Sequence, residues 1–426
     1  MLDLRRIREE TDLVKARLSR RGNPAHIAAI DRVLELDERR RALVGQVDGL
    51  RARRNEESQR VALLKREKKQ EQAEAVIRST RELGDRMAAL EGDLATVEAT
   101  LRDELLGIPN LPDEVVPEGG ESANLVVREW GVEPAFDFAP RPHWEVGESL
   151  GILDLARGAK VAGSGFPLLA GMGARLERGL ISYMMDVHAR EHGYRELWPP
   201  FMVNRDAATG TGHLPKFGED MYEVPLDGLW LVPTAEVPVT NIHADELLPP
   251  DGLPIRYVAY TPCFRREAGS HGKDTRGLLR LHQFDKVEIV RFERPEDSEA
   301  ALEELTSHAE SILQRLGLRY RVVLLAAGDL GFSNARTYDL EVWAPGVGAW
   351  LEVSSCSRYT DYQARRMNLR YRPDANAKPE FVHTLNGSAL ALARLVVALL
   401  ETYQQADGSV VVPEPLRPYL HTDRIG

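Results

Sequence analysis

The chain has 426 residues, 43% hydrophobic and 28% charged, with 34 Gly and 25 Pro; this excludes a disordered or fibrous protein and predicts two or three globular domains. Two cysteines, Cys263 and Cys356, are too few and too far apart for a disulfide framework or a cysteine-rich zinc cluster. A net charge of −11 excludes a protein that is basic all over, the simplest footprint of a nucleic-acid binder.

The N-terminus, MLDLRRIREETD, lacks the apolar stretch of a signal peptide, and no run of about 18 apolar residues occurs. A cytosolic location and no membrane partner are therefore expected. The charge is uneven. Residues 1–106 carry 23 Lys and Arg against 21 Asp and Glu, and window 39–69 holds 11 bases against four acids. From Pro24 to Leu106 no proline interrupts a composition of strong helix formers. Val76, Thr80, Leu83, Met87, Leu90, Leu94, Val97 and Leu101 recur at alternating spacings of four and three, a coiled-coil seam. Leu36, Leu43, Val47 and Leu50 supply a partner stripe. The polar stretch Arg53–Gln59 is the expected reversal of one antiparallel hairpin with its tip near 53–69. Such heptads could simply dimerise two chains, with the bases as a solvated face. A structural seam, however, has no need to collect bases at one end, whereas an arm gripping a phosphate backbone does. Arg51, Arg53, Arg54, Arg60, Lys65, Arg66, Lys68 and Lys69 are the candidate contacts.

The expected domains are 1–106, a Pro- and Gly-rich linker over 107–120, and a second domain over 121–426. Helical patterns occur at 173–192, 296–316 and 388–405. Extended segments at 255–265, 282–292, 338–343 and 350–354 suggest antiparallel meanders. Neither GxxxxGK[ST] nor a GxGxxG after a strand is present, so any ATP site must use another fold. The fold class is α+β, built on an antiparallel sheet behind the helical arm.

The densest chemistry lies in PCFRREAGSHGKDTRGLLRLHQFDKVE, 262–288. It reads as Cys263–Glu267 extended, a glycine-punctuated loop through Gly277, and His282–Phe292 extended. Alternation puts Arg265 and Glu267 on one face, and Phe284 and Glu288 about 13 Å apart on one face. A flat ring and a carboxylate at that separation suit a stacked base and a captured amine or hydroxyl. His271 and Lys273 read as solvated loop residues, His282 and Gln283 as packing and hydrogen-bonding groups, and both cysteines as small buried residues.

FRREAG at 264–269 with TRGLLRLHQFDKVE at 275–288 closely resembles motif 2 of class II aminoacyl-tRNA synthetases in its seryl form. TLNGSALALARLVVALLE at 384–401 resembles motif 3. The helix from Gly173 with the extended Tyr194–Pro200 resembles motif 1, while PTAEV at 233–237 and LEVSSCS at 351–357 resemble segments typical of the seryl family. Motifs 2 and 3 with these two stretches are highly specific together. Motif 1 alone is weak. The resemblance spans nearly the whole chain, arm included, and matches the bacterial type.

The resemblance implies an ATP-dependent ligase that activates L-serine as seryl-adenylate and transfers it to tRNA(Ser), and to tRNA(Sec) where one exists. It implies Arg265 on the α-phosphate, Arg394 by the γ-phosphate and one adenine face, Phe284 on the other face, and Glu267 on the adenine amino group. Arg266, Val353 and Ser354 join the ATP set. Glu352 and Ser355 are the expected Mg2+ ligands, hard oxygens suited to that ion; since alternation opposes them, a bulge or strand end is expected there. Thr234, Ala235, Glu236, Arg265, Glu288, Asn386 and Ser388 are the expected serine contacts, because selecting a hydroxyl requires buried groups that lose a partner without it. No zinc is expected. A homodimer through motif 1, with each arm reaching tRNA on the other subunit, also follows from the resemblance, as does the lack of an appended anticodon-reading domain in 402–426.

Arg266 departs from the family pattern, and Arg358 and Tyr359 have no assigned role. Two rivals remain. An enzyme adenylating an amino acid for a carrier protein should lack the arm, and a nonenzymatic coiled-coil RNA binder should have lost Arg265, Glu288, Glu352 or Arg394, all of which are present.

Overall fold

From Pro24 to Leu106 the chain meets no further proline, and in the computed structural model, which describes residues 1–268 and 276–426, it forms two long helices there. The chain divides into two units, Leu2–Ser19 with Asn23–Pro109, and Met1 and Arg20–Gly22 with Asn110–Gly426. In the first, short helices α1 (Leu4–Glu9) and α2 (Thr11–Ser19) precede α3 (Ala25–Arg66) and α4 (Gln70–Leu106). At 1.5 Å per residue, the 42 residues of α3 extend about 63 Å. Val47, Leu50 and Met87 form the seam, flanked by Leu83 and Leu90. Asp37, almost fully buried, is held by Arg8, Arg40 and Arg41 at 3.3, 3.1 and 3.0 Å.

The reversal does not fall at Arg53–Gln59. The helix runs through that stretch to Arg66, and the turn is at Glu67–Lys69, where Lys68 takes a φ of 61°. The stripe continues past Leu50 through half-buried Arg54, Glu57 and Val61 to buried Leu64. Arg54 and Glu57 cover the seam with their methylene stems, so between Leu50 and Val61 no apolar residue marks its course.

The second unit is built on an eight-stranded sheet. Its strands are β1 (Leu125–Trp130), β2 (Arg195–Leu197), β3 (Ile255–Phe264), β4 (Gln283–Glu293), β5 (Tyr320–Leu324), β6 (Arg336–Ala344), β7 (Ala349–Thr360) and β8 (His383–Ala391), in the spatial order β1-β5-β6-β7-β8-β4-β3-β2. Every ladder is antiparallel except the edge pair β2 and β3. Helices α5 (Met172–Arg190), α6 (Glu236–Thr240), α7 (Ser298–Arg315), α8 (Tyr362–Met367) and α9 (Leu392–Tyr403) accompany it. The third helical pattern begins late, because residues 388–391 stay in β8: Ser388 pairs with Glu288 and Ala391 with Lys286. Sheet pairing overrides the helical preference of Ala and Leu there.

One sheet face is the core. Val287, Ile289, Leu385, Ala389 and Cys356 pack with Leu302, Leu305 and Ala309 of α7 in a single cluster. Gly387 has no side chain because an added Cβ would lie 2.6 Å from Leu305 Cδ2 and 2.8 Å from Cys356 Sγ. The opposite face carries polar side chains. Cys263 and Cys356 are both buried and unpaired with each other. No described helix is long and apolar enough to cross a membrane.

The stretch 107–120, expected as a linker from its composition, is packed from Asn110 onward. Asn110, Leu111, Asp113 and Val116 are buried. Asp113 Oδ2 meets Arg358 Nη2 at 2.5 Å and Arg336 Nε at 3.2 Å, and Glu299 bridges the same two guanidinium groups. Arg21, buried, donates to the carbonyls of Asn110, Leu330, Gly331 and Asn334, and burial lowers its pKa to about 10. Backbone bonds fix the segment as well: the Asn110 and Asp113 amides donate to the Phe332 and Ala335 carbonyls, each at 2.9 Å. Arg358 thus acquires a structural role.

Asp113→Ala should leave two buried guanidinium groups short of a partner and cost about 3–5 kcal/mol. All six Trp lie in the second unit, so urea unfolding followed by Trp fluorescence reads its stability directly; an unchanged midpoint would rule out this role for the cluster.

Candidate active site

The polar face of the sheet owes its layout to register. On β4, alternation sends Phe284, Lys286 and Glu288 to one side, and Glu288 stands opposite Ser388 while Val290 stands opposite Asn386. On β7, Ser355, Ser357 and Tyr359 follow the same alternation. With Thr234 and Glu236 these side chains line a cavity of about 400 Å³, within the range of small-molecule sites.

At one end lie two buried carboxylates. Thr234 Oγ1 donates to Glu288 Oε2 at 3.1 Å and accepts from the Glu236 amide at 3.2 Å. Lys286, also buried, forms an ion pair with Glu288. Gln363 Nε2 donates to Glu236 Oε1 at 2.6 Å. Burial, and then the charge of Glu288, push the Glu236 carboxyl up to about 7, against the Gln363 hydrogen bond, Lys286 and Asn386. Tyr359 donates its hydroxyl to Asn386 Oδ1 at 3.0 Å, which leaves Asn386 Nδ2 a buried donor with no protein acceptor. His213 lines the same cavity; burial, then Arg265, Lys286 and Arg366, lower its pKa to about 3, so it is neutral.

At the other end lie arginines. β3 ends at Phe264, short of the expected strand through 267, and Glu267 takes a φ of 53°. The side chains of Arg265 and Glu267 still reach the cavity. Arg265 Nε donates to the Pro233 carbonyl at 3.3 Å, and its guanidinium lies 5.2 Å from the Phe284 ring centroid. Glu267 pairs with Arg280. Arg394 donates from Nη1 to the Glu352 carbonyl at 2.8 Å and from Nε to the Leu279 carbonyl at 3.1 Å. His282 takes its expected hydrogen-bonding role, with Nδ1 3.0 Å from the Arg265 carbonyl.

Glu352 and Ser355 both face the cavity because β7 carries a bulge. Ser354 pairs with Leu340 and Glu352 with Glu341, so Val353 is the extra residue, the irregularity that alternation demanded. Beside them, Asp339 stands opposite Ser355 on β6. Burial, and then Glu352, hold its carboxyl well above the usual carboxylate range, and its Oδ1 has no partner. An orphaned carboxylate oxygen next to a second carboxylate and a hydroxyl is a hard-oxygen donor set that fits Mg2+. No cluster of three metal-ligating His, Cys, Asp or Glu occurs among the described residues.

Three expected residues lie off the cavity. Arg266 stacks over Tyr222 at 4.4 Å and donates to the Met221 carbonyl. Ala235 is in a hydrophobic core cluster, and the Ser354 hydroxyl donates to the Ser388 carbonyl at 2.5 Å. Val353 lines the wall. His271 and Lys273 lie outside the described residues. Sequence reasoning missed Lys286, His213, Asp339, Tyr359 and Gln363. Lys286 could have been found, since it shares the period-two face of Phe284 and Glu288; the others are brought in by distant elements.

The candidate polynucleotide contacts Arg51, Arg53, Arg60, Lys65, Arg66, Lys68 and Lys69 are exposed on the hairpin, whereas Arg54 is half-buried in the seam. Arg51 is engaged by Asp48 and Glu91 at 3.3 and 2.8 Å.

Residues 1–112 match the seryl-tRNA synthetase N-terminal domain, and residues 222–403 the class II tRNA synthetase core domain of the Gly, His, Pro, Ser and Thr enzymes. The chain is 55% identical to a serine--tRNA ligase of an Exiguobacterium species and to that of Geobacillus kaustophilus, in each case over 99% of this chain and 98% of the relative. Among solved structures, the seryl-tRNA synthetase of Pyrococcus horikoshii complexed with ATP superposes with a TM-score of 0.93 at 38% identity, covering 100% of this chain and 99% of the other. The cytoplasmic serine-tRNA ligase of Naegleria fowleri in complex with AMP gives 0.87 at 29% identity, covering 100% and 98%.

Proposed function

Since the chain belongs to the seryl-tRNA synthetase family, whose members are ATP-dependent aminoacyl-tRNA ligases, we propose that it activates L-serine with ATP and transfers the seryl group to tRNA(Ser), and to tRNA(Sec) where the cell has one. One observation carries this reading: a single cavity runs from the buried carboxylates Glu236 and Glu288 to Arg265 and Arg394. An amino acid brings an ammonium and a hydroxyl to the first end, and a nucleotide brings phosphates to the second.

In the first step a serine carboxylate oxygen attacks the α-phosphorus of ATP. The new P–O bond forms as the bond to pyrophosphate breaks, with no proton exchanged. Catalysis is positioning and neutralisation of phosphoryl charge. Arg265 holds the α-phosphate and the attacking carboxylate, and Arg394 holds the γ-phosphate. Phe284 stacks on adenine while Glu267, in contact with Arg280, accepts from the adenine amino group. Glu352 and Ser355, with Asp339 behind them, would hold Mg2+, which when bound screens the phosphate charges. Thr234, Glu236, Glu288, Asn386 and Ser388 take the amino acid. A tRNA ribose hydroxyl then displaces AMP from the seryl carbonyl.

The partner assembly is a homodimer through α5 and β2. An apolar groove of about 710 Å³ whose lining includes Ile181 of α5 and the exposed side chains Val161 and Trp198 supports that face. The exposed bases toward the α3–α4 turn support tRNA binding, each arm serving tRNA on the other subunit. The location is the cytosol.

ATP–pyrophosphate exchange across the amino acids tests the function. Exchange should respond to serine alone and survive deletion of 30–100, whereas aminoacylation should fail. Exchange with another amino acid, or full charging without the arm, overturns the corresponding part. Glu288→Gln should lower kcat/KM for serine by about ten- to a hundredfold and relax rejection of alanine, because it removes a buried anion and its partner interactions; unchanged serine-dependent exchange would refute the assignment. Replacing Lys65, Arg66, Lys68 and Lys69 by Ser should leave exchange intact, weaken tRNA binding at low salt and reduce the log–log salt slope by roughly one unit for each phosphate no longer neutralised. An unchanged slope would move the tRNA-binding bases elsewhere.

A further inference from the structure

Gln363 lies on α8, is fully buried and does not line the cavity. Its amide is saturated by three elements. Nε2 donates to the Thr211 carbonyl at 3.2 Å and to Glu236 Oε1 at 2.6 Å, and Oε1 accepts from Thr384 Oγ1 at 2.7 Å. Amide nitrogen and oxygen are told apart by their neighbours. A backbone carbonyl can only accept, so the NH2 edge must face Thr211, and the same edge reaches Glu236. The oxygen edge therefore faces Thr384, whose hydroxyl must donate. The orientation is determined by partners that cannot exchange roles.

We propose that Gln363, locked by the Thr211 carbonyl and the Thr384 hydroxyl, is a positioning residue of the amino-acid pocket that aims the Glu236 carboxylate at the substrate ammonium. With Oε1 held, rotation of the Glu236 carboxylate is restrained and Oε2 is left without a Gln363 partner. The inference rests on the serine-activating reading above and adds the device that keeps this carboxylate in place. The group needs such help. Glu288 and Lys286 of β4, Tyr359 of β7, Asn386 of β8, and Arg265 and His213 on the cavity walls surround it, with Arg366 on Gln363's own helix. Burial and Glu288 favour its protonated form, and the Gln363 hydrogen bond favours the anion. Loss of that bond raises the pKa further, so the anion is lost at a higher pH and the acid limb of serine use moves upward.

The test is serine-dependent ATP–pyrophosphate exchange by the full chain, as wild type, Gln363→Met, Thr384→Val and Thr384→Ser. A hydrogen bond to a charged group is worth about tenfold or more. Gln363→Met should therefore raise KM for serine about tenfold, leave KM for ATP within about twofold, and shift the acid limb of kcat/KM for serine to higher pH. Thr384→Val should reproduce part of the effect, and Thr384→Ser, which keeps the hydroxyl, should match wild type. An unchanged serine KM, equal rises in both KM values, or an unmoved acid limb in the Met variant overturns the proposal. If Gln363→Met does not fold, the Thr384 pair decides: indistinguishable Val and Ser variants overturn it. A wild type without serine-dependent exchange sinks the functional reading and this inference together, whereas a serine-active wild type with unaffected variants sinks this inference alone.

Discussion

Two carboxylates buried in one small cavity are the constraint around which the site is organised. Removing Glu236 and Glu288 from water is costly unless each finds donors, and their mutual repulsion adds to the cost. Lys286 and Thr234 serve Glu288. Gln363 serves Glu236, and its own amide is served by Thr211 and Thr384. Each donor comes from a different part of the chain, so the folded sheet is needed to assemble them. Under the proposed reading, the ammonium of an amino acid supplies a further cation to this pair of carboxylates, which would tie binding to the charge pattern of the ligand.

The same use of fixed partners appears at the arginine end. Arg265 and Arg394 are not free to wander: each donates to a backbone carbonyl, of Pro233 or of Leu279 and Glu352. Preoriented guanidinium groups lose less freedom when phosphate arrives. Arg266, one position from Arg265, has the opposite fate. Its hydrogen bond to the Met221 carbonyl and its stack on Tyr222 draw it out of the cavity.

Legibility in the sequence follows the range of the interaction. The coiled-coil seam, strands β3 and β4 and the helix of the first motif can be read because their signals are periodic and local. The position of the α3–α4 turn cannot, because Arg54 and Glu57 use their stems as apolar surface. The packing of 110–116 is invisible too: its partners Arg336 and Arg358 lie more than 200 residues away in a separate pattern. Phe284 and Glu288 are recoverable from alternation, as is Lys286 between them. Tyr359 and Gln363 are not, since a lone buried Tyr or Gln carries no pattern until the chain brings Asn386 or Glu236 to it. Asp339 sits on an ordinary strand, and only pairing with Ser355 gives it meaning.

The bulge at Val353 divides β7 into two reading frames. Residues from Ser354 onward keep one phase of inside and outside, and those up to Glu352 keep the other. Glu352 and Ser355 share a face only because one residue too many lies between them. A deletion of Val353 would therefore not turn Glu352 away: Glu352 would stand two positions from Ser355, on the same face by plain alternation, and its pair with Glu341 would run on from that of Ser354 with Leu340 as a regular ladder. What the deletion would remove is the local kink and the Val353 wall of the cavity. A substitution at Val353 keeps the kink and changes only the wall.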